Sequence, residues 1–100
     1  MDENKISTIF KALSDENRVR ILNMLMEGET CACNLLKDLH MTQPTLAHHM
    51  QILCASGLVQ SERVGRWMHY RLYAPGCSEA HTVMQNLLRA SLQKRTGPCC

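Results

Sequence analysis

Apolar residues recur at helical spacing along most of the chain and switch to strict alternation only once. Ile6, Ile9, Phe10 and Leu13 follow a helical period and predict a short amphipathic helix over 5–13. Ser14 or Asp15 then offers an N-cap for a helix over 16–27, carrying Val19, Ile21, Leu22, Leu25 and Met26 and stopped by Gly28. A third helix is expected over 31–39, with Thr30 as its cap and Leu35, Leu36 and Leu39 as its apolar side. His40-Met41 makes a tight connection to a fourth helix over 43–56, capped by Thr42, with Pro44 in the first turn where its missing N–H costs little. Gly57 ends it. Residues 58–64 and 67–73 then read as two strands joined by Gly65-Arg66. In the return strand Trp67, His69, Arg71 and Tyr73 share one face, and Met68, Tyr70 and Leu72 the other. Pro75-Gly76 is expected to break the chain before a last helix over 78–95.

The fourth helix carries the most information. At about 100° per residue, Leu46, Met50 and Leu53 stack on one face and must be buried. Pro44, His48 and Gln51 fall opposite, with Thr45 on a flank, so short polar groups gather on an exposed face near the N-terminus. A helix entering a DNA major groove needs donors and acceptors there, and its free backbone N–H groups can meet phosphate. The hairpin that follows holds Arg63, Arg66 and Arg71 and is the main basic feature. A basic hairpin beside two short helices joined by a tight turn reads as a wing next to a DNA-reading pair. Arg18 and Arg20 on the second helix are further candidates for phosphate. The last helix carries Ala80, Val83, Met84, Leu87, Leu88 and Leu92, an arc wider than one small core needs. Its excess suggests a partner helix from a second copy.

At 100 residues the chain is one domain, 1–96, with a short cysteine-bearing tail at 97–100. The net charge of +2 says little by itself. No apolar run approaches the roughly 18 residues of a membrane span, and the N-terminus has no basic-then-apolar leader, so a cytoplasmic, non-membrane protein is the expectation. No Gly-rich phosphate loop, His-Glu-x-x-His segment or nucleophile elbow is present, so neither an enzyme nor an organic cofactor is expected.

The six cysteines do change the picture. In a reducing compartment, closely spaced thiols read as ligands or redox groups. Cys54 and Cys77 read as small buried hydrophobes. Cys31 and Cys33 are the candidate ion site, because thiolates are soft donors for trivalent arsenic and antimony, cadmium, zinc, lead and monovalent copper, and a helix N-terminus favours the thiolate. Within an ideal helix two residues span about 200°, so these side chains would diverge unless the first turn frays. A third ligand is expected from Cys99 or Cys100 of the tail, or from Cys54 of a second copy.

The chain resembles the ArsR/SmtB family of metal-responsive winged helix-turn-helix repressors over about residues 5–95. The resemblance rests on Phe10 to Leu22 (FKALSDENRVRIL), Thr42 to Leu53 (TQPTLAHHMQIL) and Gly65 to Leu72 (GRWMHYRL), in that order. It implies an α+β fold of four helices, a two-stranded wing and a C-terminal dimerisation helix. It also implies a homodimer on double-stranded operator DNA that lets go when an inducer binds. Cys31 and Cys33 match the Cys-x-Cys pair of the arsenic-responsive branch, and Leu36 stands where that branch has a third cysteine. Arsenite or antimonite is then the expected inducer, with cadmium, lead or zinc as alternatives. The expected DNA contacts are Gln43, Thr45, His48, Gln51, Arg63 and Arg66, and the dimerisation residues Val83, Met84, Leu87, Leu88 and Leu92. Ala47 replaces a common serine of the reader helix. Glu79 and His81 resemble half of the family's other metal site, but Leu92 to Arg95 offers no matching half. A thiol-redox regulator of the same fold, or a protein-interaction module without DNA binding, are the rival readings.

Overall fold

The computed structural model describes the backbone of residues 2–93 and side chains as far as Arg89. The elements are α1 (Glu3–Leu13), α2 (Glu16–Leu25), β1 (Thr30–Cys31), α3 (Ala32–Leu39), α4 (Gln43–Ala55), β2 (Val59–Val64), β3 (Trp67–Leu72) and α5 (Ala74–Gln93).

Side-chain caps set three of the helix starts. The Asp2, Asp15 and Thr42 side chains accept from the backbone N–H of Asn4, Asn17 and Thr45, satisfying donors that a helix N-terminus leaves open. The helices close on a core whose most buried side chains are Ile21, Leu35, Leu46, Met50 and Leu53. Three of these belong to α4, as its period requires. The α3–α4 turn passes through His40, which takes the left-handed conformation (φ 51°) after the last turn of α3.

The β2–β3 hairpin has the expected register, from Val59 opposite Leu72 to Val64 opposite Trp67. Gly65 has φ +65° and Arg66 is not at positive φ, the signature of a type II′ turn with glycine first. The sheet, however, has three strands. Thr30 pairs with Tyr70 and Cys31 with His69, so the order is β1-β3-β2 and β3 is central. Thr30 therefore lies in a strand and is not the cap of α3. Gly28, at φ +134°, turns the chain from α2 into this strand.

The start of α5 also departs from expectation. Pro75-Gly76 does not break the chain; both lie in the first turn of a helix that begins at Ala74. Proline is tolerated there because the first N–H groups have no intrahelical acceptor. Gly76 is needed for a different reason: a Cβ at that position would stand 1.7 Å from the Gly57 carbonyl oxygen. The helix is pressed against the backbone that leaves α4. Val83 is 2% exposed within this single chain, so it belongs to the protomer's own interior and not to a partner face. Met84 is half-buried, Leu87 and Leu88 are exposed, and the side chain of Leu92 lies outside the described residues. The tail expected at 97–100 lies outside them as well.

Candidate nucleic-acid interface and thiol site

The exposed face of α4 begins at its cap. Thr42 Oγ1 accepts from the Thr45 N–H at 3.3 Å and donates to Thr45 Oγ1 at 2.9 Å. Both hydroxyls are thereby oriented at the helix mouth, and Thr45 keeps its own proton for an outside acceptor. Gln43, Thr45, His48 and Gln51 are all exposed. Between this helix and the hairpin runs a groove of about 550 Å³ lined by His48, Gln51, Cys54, Ser61, Met68 and Tyr70. Arg63 and Arg66 are exposed near the hairpin tip, and neither is in an ion pair among the described residues. Arg71 is different. It lies between Glu29 and Glu62, 3.6 Å from each, while Glu29 also stands 3.5 Å from His69 Nδ1. Arg71 belongs to the outer face of the sheet, leaving Arg63 and Arg66 as the hairpin's free cations.

The expectation that Arg18 meets phosphate is overturned. It is buried, 7% exposed, with its guanidinium donating to the backbone carbonyls of Ala12 and Lys11 and to His49 Nδ1. Arg20 stays exposed. The adjacent histidines of α4 thus have opposite surroundings: His48 faces solvent and His49 faces the interior. The sequence does contain a signal for both buried groups. Arg18 shares a helical stripe with Ile21 and Leu25, and His49 shares one with Leu46, Met50 and Leu53.

The thiol pair sits at an element boundary. Cys31 is not in α3 but is its N-cap, in extended conformation (φ −87°, ψ 159°), and Cys33 is in the first turn. The opposed directions expected of two helical residues therefore do not arise. The two Cα atoms are 5.3 Å apart and the sulfurs are joined in a disulfide. Cys31 Sγ also accepts from the Asn34 N–H at 3.4 Å, and the Asn34 side chain donates to Thr30 Oγ1 at 3.2 Å. A sulfur thus occupies the place where a capping oxygen usually sits, at the positive end of a helix dipole. Both cysteines are half-buried.

No third donor completes this pair among the described residues, where no group of three His, Cys, Asp or Glu is placed to hold a metal ion. Leu36 is half-buried against the core. Cys54 lies in the reader–hairpin groove; burial pushes its thiol up from its ordinary pKa, opposed by a hydrogen bond with Ser61. Cys99 and Cys100 lie outside the described residues. When reduced, the pair would offer two neighbouring soft sulfurs, suited to a thiophilic centre and not to a hard, oxygen-seeking cation.

Comparison with known proteins agrees with this architecture. Residues 15–61 match the family model described as bacterial regulatory protein, arsR family. The chain is 44% identical over 72 residues to an arsenical resistance operon repressor of Staphylococcus aureus, covering 72% of this chain and 69% of that one. It is 32% identical to the protein of the same name from Bacillus subtilis, over the whole of both chains. Among solved structures, a crystal structure of an ArsR family transcriptional regulator superposes with a TM-score of 0.83 at 20% identity, covering 95% of this chain and 98% of that one. The chain belongs to the ArsR/SmtB family of winged helix-turn-helix transcriptional regulators, which act by binding DNA and not by catalysis.

Proposed function

We propose that this chain is a homodimeric repressor that holds operator DNA through α4 and the hairpin and lets it go when trivalent arsenic or antimony bonds Cys31 and Cys33. One observation carries the reading: Cys31 caps α3 from outside the helix, so its sulfur converges on that of Cys33. The names of the staphylococcal and Bacillus relatives favour arsenicals as the inducer class. The donor count favours them over zinc and cadmium, which usually want four ligands. Cys99, Cys100 or Cys54 of a second copy remain the candidates for a third sulfur. Leu87 and Leu88, exposed on α5, support pairing with a second copy.

In this reading Gln43, Thr45, His48 and Gln51 meet base edges or nearby phosphates, while Arg63 and Arg66 hold the flanking backbone. Once a thiol reductant has cleaved the Cys31–Cys33 disulfide, each thiol displaces one hydroxyl from the trivalent acid: an S–As or S–Sb bond forms, the As–O or Sb–O bond breaks, and the thiol proton leaves with the hydroxyl as water. The Asn34 N–H then loses its sulfur acceptor or shares it. Two elements feel the change: α3, which packs on α4, and β1, which is paired to the return strand of the hairpin at His69. Taking the operator-competent population from 99:1 to 1:99 needs about 5.5 kcal/mol of differential ion binding.

The disulfide supports a second reading, in which two-electron oxidation of the pair by a peroxide, with loss of both thiol protons, is the signal. Titrating the reduced protein–operator complex with arsenite, antimonite, cadmium, lead, zinc and hydrogen peroxide separates the two. Release at micromolar arsenite that disappears in Cys33→Ser supports metalloid sensing. A response to peroxide alone sinks it.

A further inference from the structure

Arg18 and His49 are polar, buried to the same degree, and hydrogen-bonded at 3.1 Å across a separation of 31 residues. We propose that this pair sets the rotation of the reader helix about its own axis, and so acts as a positioning element for operator discrimination. The inference rests on the DNA-reading role of α4 proposed above.

A guanidinium can only donate, so His49 Nδ1 is the acceptor in this contact. Arg18 is itself held at two further points, donating to Ala12 O at 3.1 Å and Lys11 O at 3.0 Å. Those carbonyls belong to the last turn of α1, a helix that packs against α5 as well as α4. The guanidinium therefore ties the end of α1, the first turn of α2 and the reader helix at one place. Among the described residues, Asp15 interacts electrostatically with His49 and has its carboxylate 3.9 Å from Arg18, and the ring centroid of His48 is 6.2 Å from that of His49. The Asn17 backbone N–H bonded to Asp15 holds that carboxyl below its ordinary range, so it stays an anion beside the guanidinium.

His49 lies between His48 and Met50, and each residue turns the helix by about 100°. Fixing the azimuth of His49 fixes those of His48 and Gln51 on the opposite side. The packed apolar face of Leu46, Met50 and Leu53 also restrains the roll, and the hydrogen bond adds a directional restraint that weakens steeply with misalignment. A roll of about 20° moves side-chain tips by about 2 Å at the radius of a helix surface. That displacement breaks a hydrogen bond to a base edge but leaves most phosphate attraction in place.

The test compares operator discrimination in the full chain carrying His49→Leu or His49→Asn, after confirming dimer mass and melting temperature. Affinity is measured for a duplex selected in vitro from a random library and for a scrambled duplex. Asparagine can present an oxygen near the position of Nδ1, whereas leucine cannot. The expected result for His49→Leu is a fall of about tenfold in the selected-to-scrambled ratio, with the scrambled affinity little changed. His49→Asn should restore the ratio to within about twofold of native. A purely structural role predicts lower melting temperature with an unchanged ratio, and that outcome overturns the proposal. So does failure of asparagine to rescue. Should the leucine variant not fold, nitrogen NMR of the native protein on its selected duplex decides: the expected signature is an unprotonated Nδ1 at His49, and a protonated Nδ1 refutes the proposal. If the native chain selects no sequence at all, the DNA-reading role itself fails, a result distinct from equal discrimination by native and variants.

Discussion

The reader region and the thiol segment use helix N-termini in opposite ways. At α4 the cap is a threonine whose oxygen satisfies the helix, and the proposed DNA-contacting side chains His48 and Gln51 take no part in that cap. At α3 the cap is itself the proposed ligand: the Cys31 sulfur both accepts from the Asn34 N–H and is bonded to Cys33. A group that only has to be presented can sit on a rigid, independently closed helix. A group that has to transmit a signal is better built into the closure, where bonding something else costs the helix its cap. The first arrangement favours fidelity, the second responsiveness.

Replacing the cap sulfur by oxygen breaks the second arrangement without breaking the fold. Serine is a preferred N-cap, so Cys31→Ser keeps α3 closed while removing one of two soft donors. The expected outcome is loss of arsenite-driven operator release, a change of at least about 100-fold in the inducer concentration required. Melting temperature should be unchanged or slightly raised. Fluorescence anisotropy of labelled operator, with and without arsenite, measures both affinity and release. Retained release in a folded Cys31→Ser protein would remove Cys31 from the site.

The reader region should respond in the opposite pattern, losing DNA affinity with the inducer response intact. Gln51→Ala should cost about 1–3 kcal/mol at one operator base pair and nothing on scrambled DNA. Arg66→Ala should weaken both duplexes alike and reduce the salt slope by about 1. If Gln51→Ala instead weakens both equally, that side chain meets backbone and not a base.

A smaller effect separates the thiols themselves. Burial raises the Cys54 pKa, so less of it is thiolate at neutral pH. In the reduced protein, iodoacetamide should label Cys31 and Cys33 before Cys54, by several-fold in rate, as read by peptide mass spectrometry. The order should narrow as pH rises and Cys54 ionises. Faster labelling of Cys54 would transfer the reactive-thiol role to the groove beneath α4.

The same contrast explains what could be read from sequence. Residues in the middle of elements were legible, because a period holds whether a helix begins one residue earlier or later. Leu46, Met50 and Leu53 point inward, Gln51 and His48 outward, and the hairpin register follows from Gly65. The boundaries were not legible. A shift of the α3 start from residue 31 to Ala32 turns two diverging side chains into converging ones. Thr30 joins a strand whose partner lies 40 residues further on, at Tyr70, beyond any local pattern. Pro75-Gly76 looks like a break because local propensity says nothing about the Gly57 backbone packed against it. The burial of Arg18 was signalled by its stripe with Ile21 and Leu25, but not its acceptors, which are carbonyls from another helix and a histidine 31 residues away.

The smallest effect tests the turn between the two regions. His40 adopts φ 51° where α3 gives way to α4. A side chain in that conformation is disfavoured and glycine is not, yet glycine also loses more freedom on folding. At a site already left-handed the relief of strain should prevail, so His40→Gly should change stability by at most about 1 kcal/mol, on the stabilising side. Urea unfolding at unchanged slope measures it. The position bears on the comparison because this turn is the short covalent path from the sulfur-capped helix to the DNA-facing one. If signal passes by α3 shifting as a unit against α4, a more permissive turn should leave operator affinity intact and blunt arsenite-driven release. If it passes through the β1–β3 pairing to the hairpin, release should be unaffected by glycine at 40, and loosening that ladder by Thr30→Pro should blunt it instead.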